Sequence, residues 1–198
     1  MDKNTQIWRQ FYRKSITKPH LPRTECVVEL NESDCYFAID CGCGTGSDIA
    51  HLASLGYQTH GFDINTDAIS ICTQRFKNEP LVTISQAAFE NFEYPTTGAI
   101  LAYSSLFFAE PDCFSKTWLS ITSTLVIGGV FIGDFMGEQD SWAGTYRTST
   151  APLTKHQVTE LFVNFEIINF YERKEFGKTS LGKIKKWHTF SVIAVKRS

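Results

Sequence analysis

The stretch AIDCGCGTGSDIAHLASLG, residues 38–56, restricts the fold more than any other part of the chain. It begins as a buried strand, continues with Gly42, Gly44 and Gly46 at every second position, and ends in a helical pattern. In open α/β sheets, a strand, a glycine turn and a helix place a ligand at the carboxyl end of the strand. Glycine lets the backbone turn tightly there and approach a ligand closely.

Strand and helix patterns alternate along the rest of the chain. The strand patterns cover residues 35–42, 57–64, 81–87, 98–105, 128–135, 165–172 and 186–196. Crossover helices between strands predict an α/β fold with a doubly wound, mostly parallel, seven-stranded sheet. The last two strands are too close in sequence for a helical crossover. We therefore expect one antiparallel strand in the edge region of this sheet.

Composition favours a single domain and a small-molecule partner. The 198 residues are enough for one core, with residues 1–34 predicted as an N-terminal helical or lid extension. A net charge of −2 and the absence of a basic stripe argue against a nucleic-acid or membrane partner. The apolar stretch 125–133 is too short to span a bilayer. The polar N-terminus lacks a signal-peptide core, so a cytoplasmic location is expected. We also expect a monomer or a weak homodimer.

The six cysteines form no CxxC pair, which favours reduced, mostly buried thiols over a metal site, and we predict no metal. Lys183, Lys185 and Lys186 are expected to be a solvated edge that protects a strand from pairing.

Two aspartates flank the glycine stretch. Asp40 directly precedes it, and Asp63 ends the second strand 23 residues later, where an acid can accept both hydroxyls of a ribose. A dinucleotide fingerprint, G-x-G-x-x-G, needs a third glycine at position 47, which is Ser47. Asp40 would repel a pyrophosphate and attract an amine. The pattern suits a ligand with a ribose, an amino-acid head and no phosphate, which describes S-adenosyl-L-methionine (SAM). A purely structural glycine turn is the alternative.

IDCGCGTG with the later FDIN resembles motif I and the acidic strand end of class I SAM-dependent methyltransferases. The resemblance runs from about residue 36 to the end of the chain and includes AYSSLFFAEPDCF and VIGGVFIGDFMGEQDSWAG. The segment from residue 165 onward is similar to a small-molecule branch akin to tellurite-resistance methyltransferases. The resemblance implies methyl transfer from SAM to a small-molecule acceptor by in-line displacement, with S-adenosyl-L-homocysteine (SAH) as product.

The same resemblance implies a set of cofactor-binding residues. Asp40 orients the amino group, Asp63 holds the ribose, and Ile64 packs on the adenine. The family often has an acid after strand three, where this chain has Ala87 and Ala88. Backbone groups there are expected to bind the adenine instead. The complete set is Asp40, Gly42, Gly44, Gly46, Asp63, Ile64, Ala88, Phe89 and Tyr103.

The acceptor is expected at the ends of strands four and five. The substrate-binding candidates are Tyr12, Ser105, Phe107 and Trp142, and the catalytic candidates are Tyr103 and His188. A general base is needed only if the acceptor carries a proton at neutral pH. Two of these candidates have a structural alternative. Phe107 can belong to the core, and the ring of His188 can form a hydrogen bond with a backbone group, which is the favoured interpretation for this residue. Trp8, Phe11 and Tyr12 form either part of a lid or a plain docked helix.

Two rival functions remain open from the sequence. One is a non-catalytic SAM-binding regulatory module, and the other is an NAD-dependent oxidoreductase, which the early third glycine disfavours.

Overall fold

The computed structural model describes residues 3–144 and 149–198. Its helices are α1 (Lys3–Ser15), α2 (Cys26–Leu30), α3 (Ser47–Ser54), α4 (Thr66–Arg75), α5 (Phe114–Thr124) and α6 (Lys155–Leu161). Its strands are β1 (Phe37–Cys41), β2 (Gln58–Asp63), β3 (Val82–Gln86), β4 (Thr97–Ala102), β5 (Leu125–Gly137), β6 (Pro152–Leu153), β7 (Phe165–Lys178) and β8 (Ile184–Lys196).

One sheet runs through the molecule in the order β3-β2-β1-β4-β5-β8-β7. Strands β1 to β5 pair in parallel, whereas β8 is antiparallel to both β5 and β7. The two-residue strand β6 adds to β5 and is too short to give a sequence pattern. The expected doubly wound sheet with one antiparallel strand in its edge region is confirmed.

The strand order reverses direction between β1 and β4, so the two halves of the sheet diverge there. In open α/β sheets, such a switch point opens a crevice at the carboxyl ends of the strands. Asp40 near the end of β1 and Asp63 at the end of β2 therefore lie at the edge where a ligand is expected.

Apolar side chains pack on both faces of the sheet. On one face, Trp118 of α5 and Phe162 contact Phe131 and Phe135 of β5. On the other face, residues such as Leu101 and Ile132 pack with residues of α2 and α3. Fully burying one such side chain contributes about 1.5–3 kcal/mol, so this packing fixes the sheet that positions the crevice.

Local sequence signals set several helix ends. Asn65 caps α4 by accepting a hydrogen bond from the Asp67 N–H at 2.9 Å. Thr154 and Gln157 form a capping box at the start of α6. No helix in residues 3–144 and 149–198 combines the length and apolarity that crossing a membrane requires.

Candidate active site

The glycine loop lies between β1 and α3 and is tied to the neighbouring strand. The N–H groups of Gly42 and Cys43 both donate to the Phe62 carbonyl, at 2.8 and 2.9 Å. Gly42, Gly44 and Gly46 have φ angles of +76°, +54° and +74°, a region that side chains disfavour. The loop conformation therefore requires glycine at all three positions.

The three glycines face different surroundings. A Cβ at Gly42 would lie 2.5 Å from Ser105 Cβ, and one at Gly46 would lie 2.6 Å from Phe76 Cε2. At Gly44 the nearest atom is Tyr12 Cε1 at 3.9 Å. Gly42 and Gly46 thus allow packing within the protein, whereas Gly44 leaves room for a ligand to approach the backbone.

Asp40 is a buried acid that lacks a hydrogen-bond donor. Its exposed fraction is 6%, and no described residue donates a hydrogen bond to its carboxylate. Burial raises the pKa of Asp40 well above its ordinary value, and the nearby acids Asp48, Cys72 and Asp63 raise it further. A buried acid surrounded by acids is costly to ionise without a cation. A cationic group in the crevice would satisfy it.

Asp63 closes the other side of the glycine loop. Its carboxylate accepts hydrogen bonds from the N–H groups of Gly44, at 3.1 Å, and Asn65, at 2.9 Å. Burial raises the pKa of Asp63, and these backbone hydrogen bonds oppose the rise. An ionised carboxylate offers about four lone-pair sites, so Asp63 can still accept hydrogen bonds from ligand hydroxyls.

The residues expected at the adenine lie beside Asp63. Ile64 is 69% exposed, so its side chain is available to a ligand. The N–H of Ala87 donates to the Asp63 carbonyl at 3.2 Å, which brings the segment with Ala88 and Phe89 to the end of β2. Ile64 thus follows Asp63 directly, and the segment that carries Ala88 and Phe89 leaves β3 next to the end of β2.

Helix α1 lies over the glycine loop. Tyr12 is 3% exposed and stacks on Trp8, while Trp8 meets the ring of Phe108 edge-on. Arg9 pairs with Asp67 at the start of α4, with Nε 2.8 Å from Oδ2. The contact of Tyr12 with Gly44 places this aromatic, which the sequence assigned to the substrate, over the loop predicted to bind the cofactor.

The turn after β4 is held in an unusual conformation. Ser104 has φ +50°, the only positive φ at a non-glycine residue in the described part of the chain. Ser105 donates from Oγ to the Cys41 carbonyl at 2.5 Å, which ties the turn to β1. The Tyr103 hydroxyl lies 3.0 Å from Thr24 Oγ1. Such backbone outliers persist only where neighbouring groups hold them in place.

Three residues of this region belong to no recognisable sequence motif, and the sequence analysis did not identify them as candidate site residues. Arg23, in the 3-10 segment Pro22–Glu25, forms a two-pronged ion pair with Asp134 of β5. Thr24 donates to Asp48 of α3 at 2.5 Å, and the Leu21 N–H donates to the same carboxylate. Pro19 and Pro22 signalled only that a long helix ends here, so Arg23, Thr24 and Asp48 were not singled out.

The remaining acceptor candidates differ in their surroundings. Phe107 is 2% exposed and belongs to the buried side chains. Trp142 lies with its ring centroid 3.6 Å from Lys185 Nζ, and Trp187 lies on the same ammonium group at 4.0 Å. Trp142 thus covers a cation of the protein itself.

The expectation of a solvated lysine edge is wrong at Lys185. Its side chain is 3% exposed, and Nζ lies 2.6 Å from Asp140 Oδ1. The segment after β5 folds over β8, since the Ser141 N–H donates to the Lys186 carbonyl at 3.0 Å. Burial lowers the pKa of Lys185, and the contact with Asp140 opposes this. The lysine joins the segment to the strand.

His188 has both ring nitrogens engaged. The Gln139 N–H donates to Nδ1 at 3.0 Å, and Nε2 lies 3.2 Å from Glu172 Oε1. Because Nδ1 accepts, the neutral ring carries its proton on Nε2 and donates it to Glu172. This arrangement matches the favoured interpretation, in which the ring satisfies a backbone group.

Comparisons with known proteins agree with this geometry. Residues 38–129 match the family model described as a methyltransferase domain. No curated protein sequence matches the chain with significance.

Among solved structures, TehB from Haemophilus influenzae superposes with a TM-score of 0.75 at 16% identity. The superposition covers 94% of this chain and 66% of TehB, so the chain spans slightly under two thirds of that protein's length. A SAM-dependent methyltransferase from Methanosarcina mazei gives a TM-score of 0.67 at 19% identity, with 91% and 99% of the two chains covered.

A third similar structure is the 1,6-didemethyltoxoflavin-N1-methyltransferase of Burkholderia thailandensis, described with its substrate and SAH bound. It has a TM-score of 0.65 at 16% identity and covers 89% of this chain and 77% of its own.

The chain therefore has the Rossmann-like fold of these methyltransferase structures. Within this fold, residues 38–129, which include the glycine loop and β5 as far as Gly129, are the part that matches the methyltransferase-domain model. The recognition made from the glycine motif and its flanking acids is confirmed.

Proposed function

We propose that the crevice binds SAM and that the protein transfers its methyl group to a small-molecule acceptor. The observation that carries this proposal is Asp40, a buried acid to which no described residue donates a hydrogen bond, near Gly44, where an added Cβ would meet only the ring of Tyr12 among the described residues. This pair suits a ligand that brings a cation and no phosphate. The similar structures named above, which are methyltransferases, support the same assignment.

The residues present fit SAM. The ammonium group of its methionine part pairs with Asp40, and the ribose hydroxyls donate to Asp63. Ile64 packs against the adenine, and backbone groups near Ala88 and Phe89 contact its edge. When bound, SAM supplies a methyl group already activated on a sulfonium. Helix α1, through Tyr12, covers the glycine loop and excludes water.

Neither catalytic candidate is set up as a general base. Burial raises the pKa of Tyr103 and outweighs the hydrogen bond with Thr24, which lowers it, so the phenol keeps its proton at neutral pH. His188 holds its ring proton toward Glu172. Catalysis then consists of positioning the acceptor in line with the donor, which removes much of the entropic barrier. Tyr103 serves as a wall and hydrogen-bonding group beside the reacting atoms.

The acceptor lies at the carboxyl ends of β4 and β5. Tyr103, Ser105 and Trp142 are proposed around it, with Tyr12 closing the side toward the cofactor and Phe107 supporting the turn from beneath. A small acceptor fits the absence of any basic stripe in the sequence. The active form is proposed to be a monomer or a weak homodimer.

Calorimetric titration distinguishes this function from its rivals. SAM and SAH are expected to bind with micromolar dissociation constants, whereas NAD is expected not to bind because Ser47 stands where a dinucleotide fingerprint needs its third glycine. Incubation with SAM and a metabolite panel, followed by quantification of SAH, tests turnover. Binding of SAM without SAH release on any acceptor would favour the non-catalytic module, and binding of NAD would favour the oxidoreductase.

Asp63→Ala is expected to weaken SAM binding by about 1–3 kcal/mol, since it strands the ribose hydroxyls and the Gly44 N–H. The control is Asp112→Ala, which removes an exposed acid in the 3-10 turn Pro111–Cys113 directly before α5. It should leave the dissociation constant unchanged. Calorimetry on both variants checks this. An Asp63→Ala protein that binds SAM like the wild type would contradict the ribose role.

A further inference from the structure

A cavity of about 470 Å³ lies between Arg23 and the hairpin formed by β7 and β8. This volume is typical of small-molecule sites. The lining residues combine a guanidinium, hydroxyls, an amide and apolar side chains, with no carboxylate among them: Arg23, Asn169, Phe170, Tyr171, Ser191 and Ile193.

Arg23 presents its positive charge to this cavity. Its Nη1 and Nη2 donate to Oδ1 and Oδ2 of Asp134, at 2.9 and 3.1 Å. The Asp134 side chain is 7% exposed and that of Arg23 is 31% exposed. The acid thus lies in the sheet and the guanidinium lies over it, so a ligand meets the positive end of the pair.

Asp134 has no acceptor capacity left for a ligand. Besides Arg23, the Ser104 N–H and hydroxyl donate to Oδ2 at 3.1 and 3.3 Å, and the Ser191 hydroxyl donates to Oδ1 at 2.6 Å. These five hydrogen bonds fill the roughly four lone-pair sites of a carboxylate. A ligand group that enters the cavity therefore encounters donors rather than this acid.

Arg23 retains donors of its own. A guanidinium carries five N–H groups. Two of them are used by Asp134, and no other described residue accepts from Arg23. Burial alone would lower the pKa of Arg23, but its hydrogen bond and charge interaction with Asp134 outweigh this and raise it. The side chain is a permanent cation with unused N–H groups.

The cavity adjoins the crevice of the proposed cofactor. The guanidinium carbon of Arg23 lies 4.8 Å from the centroid of the Tyr103 ring. Tyr103 lies in the turn after β4. Its hydroxyl is 3.0 Å from Oγ1 of Thr24, the residue after Arg23. Arg23 therefore lines the cavity and also packs on Tyr103, so it connects the cavity to the methyl-transfer region.

We propose that this cavity extends the acceptor site beyond Tyr103 and that it binds an anionic oxygen group of the methyl acceptor, held by Arg23. Its apolar body lies against Tyr171 and Ile193, and the Asn169 amide adds a donor at the rim. This inference rests on the proposed function for the identity of the ligand as an acceptor. The preference of the cavity for an anion stands on its own residues.

A matched series of probes tests the anion preference. Benzoate, benzamide and benzylammonium share one ring and differ in charge. Each is titrated into protein saturated with SAH, and binding is followed by NMR chemical-shift changes. Benzoate is expected to bind about tenfold tighter than benzamide, as a charge-assisted hydrogen bond provides. Benzoate that binds no better than benzamide, or benzylammonium that binds tightest, overturns the proposal.

Variants locate the site. Arg23→Gln is expected to remove the benzoate preference while SAH affinity is retained. Because this variant leaves Asp134 buried without its partner, Asn169→Trp provides a second route: Asn169 is exposed, and a bulky ring there fills the cavity without contacting Asp134. Arg197→Gln, which removes a guanidinium paired with Glu32 and Glu166 on the surface, is the control.

The outcomes separate the two proposals. Benzoate binding that survives both Arg23→Gln and Asn169→Trp places the anion elsewhere and overturns the inference, even if SAH binds. If wild-type protein binds neither SAM nor SAH, the proposed function fails, and the same titration on the cofactor-free protein still decides the anion preference of the cavity.

Discussion

Gly44→Val is expected to abolish SAM binding, with at least about a 100-fold rise in the dissociation constant, while the protein remains folded. Gly44 has φ +54°, and the only protein atom near an added Cβ is Tyr12 Cε1 at 3.9 Å. The valine side chain therefore occupies the space that the proposed ligand needs. The left-handed backbone costs roughly 1–2 kcal/mol, which a domain of this size tolerates.

Two matched variants separate binding from backbone strain. Gly56 has φ +88° with no atom within 4 Å of an added Cβ, and it lies outside the crevice. Gly56→Val should therefore cost similar stability and leave SAM affinity unchanged. Gly46→Val should chiefly destabilise the protein, since its Cβ would meet Phe76 at 2.6 Å. Circular dichroism and calorimetry on the three variants check this, and retained affinity in Gly44→Val would refute the ligand-facing role.

The glycine loop and its acids were predictable because their signals are local. A strand that ends in Asp40, three glycines and a following helix are contiguous in the chain, and their geometry follows from backbone sterics. Asp63 was predictable from the end of the next strand. The mostly parallel sheet was predictable from the alternation of strand and helix patterns, and the antiparallel β8 from the short connection between the last two strand patterns, 165–172 and 186–196.

Arg23, Thr24 and Asp48 were unpredictable for the opposite reason. They meet through contacts between the segment Pro22–Glu25 and residues 24 to 111 positions away, and no periodicity marks them. The error at Lys185 has a similar origin. A lysine in a strand rich in lysine is expected to face solvent, and only the return of Asp140 and Trp142 over β8 buries it.

Asp40 receives no hydrogen bond from a described residue, and this leads to the second prediction, which concerns the effect of Asp40→Asn on SAM affinity. Among residues 3–144 and 149–198, the titratable groups that interact with its carboxylate are all acids: Asp48 of α3, Cys72 of α4, Asp63 of β2, Tyr103 after β4, and Cys41 and Cys43 beside it. Its raised pKa means that the carboxyl holds its proton to a higher pH than an ordinary aspartate. A cationic ligand reverses this, because pairing favours the ionised form.

Asp40→Asn is accordingly expected to weaken SAM binding by about 10- to 100-fold, the range for loss of a charged hydrogen bond. The same substitution should change the stability of the cofactor-free protein in the opposite direction. A raised pKa in the folded state lowers the free energy of unfolding as pH rises from the ordinary value of 3.8 through the raised one. Asparagine does not titrate, so the variant gains stability relative to wild type over that interval, as denaturant unfolding at several pH values will measure.

Proton release upon SAM binding gives the most direct test of this acid. Below about pH 7 the α-amino group of SAM is protonated. Over the part of that range in which the free Asp40 carboxyl holds its proton, binding releases up to about one proton as the ion pair forms. The observed calorimetric enthalpy should then vary linearly with the ionisation enthalpy of the buffer, and Asp40→Asn should remove this dependence. Wild-type binding that is tight yet independent of the buffer would mean that Asp40 is already ionised in the free crevice. In that case, a cation of the protein must face the carboxylate, and the reason for assigning an amine-bearing ligand to this crevice disappears.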